Sequence, residues 1–300
     1  MMIPTLFSVS YAGLWGQHRL SVHEFLRKAA SLGYAAVELM GKRPHLSVLD
    51  VDLAAADRLR EEAHSAGVEI ATLAGYTDFT LGRHMPMVPA VEIQVIYVRE
   101  LARLAQRLGA KIVRVFTGLG GEAALAGRDW DQCVQAVRQC AEVAAQFGVI
   151  LGVQNHHDVA ASVDAYVEFL DDVGHPNCRA MFDPWVPALV GEDLHAAARR
   201  LAPRMVQTTL ADYVRLPRYA YVPGLENYRR LEDMLRAVPL GQGFVDLEGF
   251  MAGLREGGFQ GYVAYEMCAP LRGGGSEENL DRAAAASLAR IKQWIGPCGA

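Results

Sequence analysis

Three acidic residues, Glu38, Asp183 and Glu266, each stand at the end of a short apolar segment. The segments read AAVELM, CRAMFD and GYVAYE, and such β-branched and aromatic residues are typical of strands. The carboxyl end of a strand is where α/β proteins build ligand sites. His156 and His157 follow a further apolar segment, so carboxylates and imidazoles could meet there as general acids and bases.

Other polar side chains occupy equivalent positions at the ends of apolar segments. They include two arginines, three amides and a hydroxyl: Arg114, Arg215, Gln154, Asn155, Gln207 and Thr209. Any single one is explained equally well as a polar residue that caps a loop or a helix. Together these polar residues are more numerous than a solvent-exposed rim needs, so we expect them to surround a site for a polar molecule.

Two loops beside these positions carry basic residues that could orient a substrate. Lys42 and His45 follow the first of the acids, and the alternative for them is a solvated basic turn. Arg272 precedes Gly273–Gly275 and Ser276, a pattern that predicts a turn leading into a helix. Backbone N–H groups at a helix start can bind a phosphate or sugar hydroxyls, although a flexible turn would have the same sequence.

The chain alternates between short apolar segments and longer segments of helical period. Glycine separates most predicted helices from the next strand, in LGY, AGV, LGA, FGV and GGF, as expected of helix ends. Eight strands are predicted, the last beginning at Gly261 and the others spanning Thr5–Ser10, Ala35–Met40, Val68–Ala74, Lys111–Phe116, Val149–Asn155, Cys178–Asp183 and Arg204–Asp212.

Alternating strands and helices imply parallel strands with right-handed crossovers. Eight such units in 300 residues favour a closed (β/α)8 TIM barrel over an open doubly wound sheet. No low-complexity linker interrupts the chain, so we predict a single α/β barrel domain over residues 1–300. The stretch between the seventh strand and about Gly243 is predicted to be an irregular insertion.

Composition narrows the class of protein further. The formal net charge of −5 argues against a surface for non-specific binding to nucleic acid. The five cysteines form no CxxC pair, which fits free thiols in a cytoplasmic protein. The apolar N-terminal run is too short to span a membrane and lacks the features of a signal peptide. The apolar faces of the predicted helices are compatible with a homodimer.

The strand-end motifs resemble those of the xylose-isomerase-like superfamily of sugar isomerases and epimerases, of which endonuclease IV is a relative. The motifs are VEL at Glu38, QNHHD at 154–158, FD at 182–183 and LGQGFVD…GYVAYE at 240–266. The resemblance spans essentially the whole chain. It implies a divalent Mn, Mg, Co or Zn ion held by Glu, Asp, His and Glu on strands five to eight. Asp183 and Glu266 match two of these positions directly.

The other two ligand positions depart from the family pattern. Strand five carries Gln154, and strand seven offers Gln207 or Thr209 where the family has histidine. An amide oxygen can still ligate a hard cation but offsets less charge, so weaker metal binding is expected. His156 or His157 could supply an imidazole instead. A weakened metal site, a site re-ligated through one of these loop histidines and a metal-free pocket are the three alternatives.

The resemblance implies a sugar or keto-sugar substrate, from which a proton next to the carbonyl is removed while the metal stabilises the enediolate. Glu266 is the expected catalytic carboxylate, with His156, His157 or Glu38 as its partner. Because the second family glutamate is absent, a keto-glycoside lyase or dehydratase is an alternative to the isomerase or epimerase. A non-catalytic sugar-binding barrel would show the same lost ligands, whereas a nucleic-acid repair enzyme would need more strand-end histidines.

Overall fold

The computed structural model describes residues 1–85, 87–156 and 159–296. Within them lie ten strands: β1 Met2–Phe7, β2 Ala36–Met40, β3 Glu69–Ala74, β4 Ile112–Phe116, β5 Ile150–Gln154, β6 Cys178–Met181, β7 Gln207–Leu210, β8 Asp212–Val222, β9 Asn227–Val238 and β10 Gly261–Tyr265. Eight of them form one parallel sheet in the order β6-β5-β4-β3-β2-β1-β10-β7. Strands β8 and β9 form a separate antiparallel pair.

Nine α-helices accompany the strands in the described part of the chain: α1 Val22–Leu32, α2 Leu53–Ser65, α3 Ala90–Leu108, α4 Ala126–Ala145, α5 Val163–Val173, α6 Trp185–Val190, α7 Leu194–Leu201, α8 Leu247–Glu256 and α9 Glu277–Ile295. Ser21 and Glu24 form a capping box at the start of α1. Gly33 ends α1 at a φ of 84°, a left-handed conformation that glycine adopts without strain. None of these helices is both long and apolar enough to cross a membrane.

The sheet curls into a nearly closed barrel, and the predicted (β/α)8 architecture is confirmed. A bridge between Ala180 and Met205 joins β6 to the segment before β7, and the Val206 N–H donates to the Ala180 carbonyl at 3.0 Å. Because every barrel strand runs in the same direction, all carboxyl ends open at one end of the barrel. In such folds the loops after the strands build the functional site there.

The barrel interior has an apolar floor beneath a polar layer. The floor is formed by Ala36, Ala71, Ile112, Met181 and Tyr262, which pack together inside the sheet. Charged and amide side chains lie nearer to the carboxyl ends of the strands and are described with the site. Since side chains alternate along each strand, the other faces pack outward against the helices and form the main hydrophobic core.

The prediction of an irregular insertion before Gly243 is wrong. Residues 212–238 form a long regular hairpin, with Asp212 opposite Val238 and Val222 opposite Asn227. Most of its side chains are exposed on both faces, so the apolar–polar alternation that marks a half-buried strand is missing. Pro217 also suggests a break, yet it lies where the pairing register shifts, a position that tolerates proline.

Smaller differences occur at other strand ends. Strand β1 ends at Phe7 rather than Ser10, because residues 8–11 continue as a 3-10 turn whose side chains are buried. The seventh strand is only four residues long, and Asp212 opens the hairpin instead of ending the barrel strand. Helix α6, directly after Asp183, was not predicted because it spans only six residues.

The carboxylate of Asp212 holds the base of the hairpin against the barrel. Its Oδ2 accepts hydrogen bonds from the N–H groups of Gly241 and Gly243 at 2.9 and 2.7 Å. Its Oδ1 accepts from the N–H of Tyr213 at 2.9 Å and of Val245 at 3.4 Å. A Cβ at position 243 would lie 2.0 Å from this oxygen, so glycine is required there. The hairpin is therefore fixed at its root.

Replacing Asp212 with alanine is expected to lower the free energy of unfolding by roughly 2 to 4 kcal/mol, because buried backbone donors would lose a charged acceptor. Urea or thermal denaturation followed by circular dichroism measures this loss. Asp164→Ala is the matched control, since the Asp164 side chain is 90% exposed and pairs with Arg200 at the surface. Equal losses of unfolding free energy in both variants would show that Asp212 does not fix the root of the hairpin.

Candidate functional site

A cavity of about 590 Å³ opens at the carboxyl ends of the barrel strands. Aromatic side chains form much of its wall: Phe7, Trp15, Tyr76, Phe116, Trp185 and Tyr213. The polar groups that reach it include Lys42, Arg114, Gln154, His156 and Glu266. A mostly apolar pocket with a few convergent polar groups is the usual form of a small-molecule site.

Arg114, on β4, points into the barrel and is 1% exposed. Its Nη1 donates to Gln154 Oε1 and its Nη2 to the Gly75 carbonyl, each at 2.9 Å. Its Nε has no hydrogen-bond partner in the described part of the chain. The guanidinium carbon lies 3.9 Å from the ring centre of Phe116 and 4.8 Å from that of Tyr76. The cation is thus fixed by neutral oxygens and aromatic rings.

Gln154 connects this guanidinium to Asp183. Its Nε2 donates to Asp183 Oδ2 at 2.8 Å, while its Oε1 accepts from Arg114. Because a guanidinium can only donate and a carboxylate only accept, these two neighbours fix the orientation of the amide. Asp183 Oδ1 accepts from the Trp185 N–H at 2.8 Å at the start of α6.

His156 lies beside the same carboxylate, with its Nδ1 3.3 Å from Asp183 Oδ2. Its ring stacks on Phe116 at 5.3 Å between ring centres. Burial by itself would lower the pKa of His156, but the Asp183 and Glu266 carboxylates outweigh it, so the pKa lies above the usual value for histidine. The two carboxylates thereby stabilise the protonated form of the imidazole next to the cavity.

Glu266 follows β10 and reaches the cavity while only 6% exposed. Burial and repulsion from Asp183 raise the pKa of its carboxyl to about 7, against the attraction of His156, Cys268 and Arg114. A carboxyl with this pKa exchanges its proton near neutral pH. Glu266 can therefore act as a base that is regenerated under physiological conditions.

A second buried carboxyl, Glu38, lies beneath the cavity and not in its wall. It accepts a hydrogen bond from Gln207 Nε2 at 2.5 Å, and Gln207 Oε1 accepts one from Thr72 at 2.6 Å. The other oxygen of Glu38 has no partner among the described residues. Burial, and the nearby charges of Glu266 and Asp183, raise its pKa to about 8 despite the attraction of Arg114.

The model of the family named Xylose isomerase-like TIM barrel matches residues 26–294. The chain belongs to this family. The sequence matches none of the curated proteins with which it was compared.

Solved structures with the same fold cover nearly the whole chain. The probable 3-DHS dehydratase AsbF from Bacillus anthracis is 17% identical with a TM-score of 0.74, over 96% of this chain and 98% of that one. A xylose isomerase domain protein from Alicyclobacillus acidocaldarius is 21% identical with a TM-score of 0.72, over 98% of both. D-psicose 3-epimerase from Clostridium cellulolyticum H10 is 16% identical with a TM-score of 0.73, over 99% and 100%. At these identities the likeness establishes the fold.

The residues of this xylose isomerase-like barrel do not fit the four-ligand metal site that its sequence motifs imply. Gln154 Oε1, the strand-five donor, already accepts from a guanidinium. On β7, Gln207 is bonded to Thr72 and Glu38 in the layer below, and Thr209 presents a buried hydroxyl without a partner among the described residues. No group of three or more His, Cys, Asp or Glu side chains in the described ranges could hold a metal ion.

Several residues singled out in the sequence lie away from the cavity. His45 is buried, with Nδ1 2.9 Å from Ser8 Oγ and Nε2 3.2 Å from the Leu20 carbonyl oxygen. Arg215 and Arg272 are exposed, the first on the hairpin and the second on the loop after β10. His157 lies outside the described residues.

Asn155 has a positioning role that the sequence did not indicate. Its Oδ1 accepts from the Asp183 N–H at 2.7 Å and its Nδ2 donates to the Asp183 carbonyl at 3.1 Å. The side chain is fully buried and lies outside the cavity wall. It thereby fixes the backbone that carries the Asp183 carboxylate, instead of contacting a ligand itself.

Sequence reasoning missed the part of the wall that the hairpin supplies. Tyr213 and Leu235, one from each strand of the hairpin, line the cavity, and the Tyr213 ring lies 4.3 Å from that of Trp185. Tyr213 directly follows Asp212, the last residue of the predicted seventh strand, and this position was the signal available in the sequence. Leu235 had none, because its position depends on the pairing of β8 with β9.

Proposed function

We propose that this protein is an enzyme that removes a proton from the carbon next to a carbonyl group of a sugar or keto-sugar. The main support is the Glu266 carboxyl, which combines access to the cavity with a pKa of about 7. General bases work best when their pKa lies near the operating pH. Aromatic walls suit a sugar ring, whose C–H face packs against them while its hydroxyls need polar partners.

In this proposal Glu266 takes the proton as the C–H bond breaks, and the electron pair forms a C=C bond while the carbonyl oxygen becomes an enolate. His156, held by Asp183, is the partner that returns a proton. For isomerisation, the hydroxyl on the deprotonated carbon gives its proton to the enolate oxygen and becomes the new carbonyl, while the histidine proton goes to the former carbonyl carbon. For epimerisation, the proton returns to the opposite face of the carbon that lost it. The Gln154 amide at the strand-five position does not titrate near neutral pH, so the histidine has to serve as the second proton-transfer group.

An elimination is the second candidate, and the asymmetry of this pair favours it. One carboxylate base and one cationic imidazole acid are what a dehydratase or keto-glycoside lyase needs. The enolate then expels the group on the β carbon, and His156 protonates that leaving group. The likeness to a probable dehydratase and to an epimerase is compatible with both reactions. The substrate in either case is a small carbonyl-containing sugar derivative.

Proton exchange in deuterated water tests the proposal without knowledge of the final product. Purified protein is incubated with a panel of ketoses and 3-keto-glycosides, and the signal of the proton next to the carbonyl is followed by NMR. We expect its loss with at least one compound, accompanied by a second sugar for an isomerase or epimerase and by a released group for a lyase. Absence of exchange across the panel would favour a non-catalytic sugar-binding barrel.

A further inference from the structure

We propose that the guanidinium of Arg114 takes the place of the divalent metal ion in this site. Resting on the proton-transfer function above, the inference assigns to Arg114 the stabilisation of the enolate oxygen. Three properties of Arg114 support this role: its position in the barrel, the neutral oxygens that accept its hydrogen bonds, and the N–H donors that the protein does not use. Proton transfer at this site then requires no bound metal.

The position of Arg114 is the first argument. Its Nη1 lies 2.9 Å from Gln154 Oε1, the atom that a metal ligated from the fifth strand would use. A dication bound to that oxygen would stand directly beside a fixed positive charge of the protein. The Gln154 amide cannot rotate to offer its other end, because its Nε2 is held by Asp183 at 2.8 Å. The guanidinium of Arg114 therefore already occupies the place beside this oxygen that a metal ion would need.

The charge of Arg114 is the second argument. A buried charge is costly unless it is paired, yet both hydrogen bonds of this guanidinium go to neutral oxygens. It forms no ion pair with any carboxylate in the described ranges, and Glu38 and Glu266 interact with it electrostatically without a salt-bridge contact. Aromatic rings hold it in place from the side. A cation kept in this way is available to a negative charge that develops on a substrate.

The chemistry of the guanidinium is the third argument. It carries five N–H donors, of which two are used within the protein. An oxygen that gains charge when Glu266 removes the proton would be stabilised by such a preorganised cation, as it would be by a metal ion. Lys42 adds to the positive field, since its Nζ lies 3.8 Å from the centre of the Tyr76 ring that Arg114 also contacts.

The test uses EDTA-treated protein and two probes, Mn²⁺ and oxalate, a planar dianion that mimics an enediolate. Calorimetry is expected to give no Mn²⁺ binding tighter than about millimolar, and oxalate binding without any metal. Arg114→Met should weaken oxalate binding at least ~10-fold and Arg114→Lys less, because lysine keeps the charge but not the planar donors. Arg103→Met, a surface substitution on α3, is the matched control and should leave oxalate binding unchanged.

Micromolar Mn²⁺ binding by the native protein, or failure of oxalate to bind until Mn²⁺ is added, would overturn the inference. Both measurements use the unmodified chain, so they hold even if an Arg114 variant does not fold. Oxalate binding that depends on Arg114, together with no proton exchange on any sugar, would instead refute the proposed reaction and leave the cation assignment intact. The triple variant Arg114→Met, Gln154→Glu, Thr209→His should gain Mn²⁺ affinity by ~100-fold or more.

Discussion

Glu266→Gln is expected to lower the rate of proton removal by a factor of about 10² to 10⁴, the usual contribution of a general base. Glutamine has nearly the same shape and keeps an oxygen beside His156, but it cannot accept the proton. Substrate binding should change much less than turnover, since the cavity walls remain. The measurement is deuterium exchange on the compound that the native protein turns over, followed as a rate at saturating substrate.

Glu256→Gln on the surface of α8 makes the same chemical change far from the cavity and should leave the exchange rate unaltered. The native rate should rise with pH through about 7, as Glu266 loses its proton, and fall again as His156 loses its own. Asp183, Arg114 and Cys268 also face Glu266 and set this range. A Glu266→Gln variant with native activity would show that another group is the base.

Glu38→Gln is expected to make the protein more stable at neutral and alkaline pH. The pKa of Glu38 is about 8 in the fold, above the ordinary value of 4.5 for glutamate. Between these values the folded protein holds a proton that the unfolded chain has released, so the native chain loses ~1.4 kcal/mol of stability per pH unit as the pH rises. Glutamine avoids this loss and keeps an acceptor for Gln207 Nε2.

Urea unfolding at pH 5.5 and 8.5 measures the effect. Between pH 5.5 and 8.5 the free energy of unfolding of the native protein should fall by roughly 3 to 4 kcal/mol more than that of the Glu38→Gln variant. Comparing the two proteins at each pH cancels the contributions of all titrating groups that do not interact electrostatically with Glu38. Glu61→Gln, at an exposed position on α2, is the control and should follow the native curve. Parallel curves for native protein and Glu38→Gln would mean that Glu38 is ionised in the fold.

The barrel could be predicted because its elements are specified locally. Helix-ending glycines such as Gly33 and Gly109, both left-handed in the structure, divide the chain into repeating units. Most of the barrel strands between them are short, rich in apolar residues and almost entirely buried, as expected of a parallel sheet. The hairpin could not be predicted in this way. Its strands are exposed on both faces, so their pairing depends on each other and on Asp212 and not on a hydrophobic pattern.

The polar residues inside the barrel were visible in the sequence, but their partners were not. Gln154 stood out as an altered ligand position, yet its bond to Arg114 joins strands β4 and β5 and has no signature in either segment. Gln207 and Thr209 share a face by parity, and only the structure distinguishes them: Gln207 bonds to Glu38 below the cavity. Spacing along a strand gives the face of a side chain, whereas the contacts across a barrel depend on the stagger of all eight strands.

The anchoring of the hairpin has a consequence for the way this barrel can diversify. The root is secured by Asp212 and the backbone of residues 241–245, while the tip around Gly224 touches little else. Changes of length or sequence beyond the root therefore leave the barrel strands undisturbed. Near the root the same arm presents Tyr213 and Leu235 to the cavity. Selection can thus remodel the entrance for new ligands through a peripheral arm while the barrel interior stays constant.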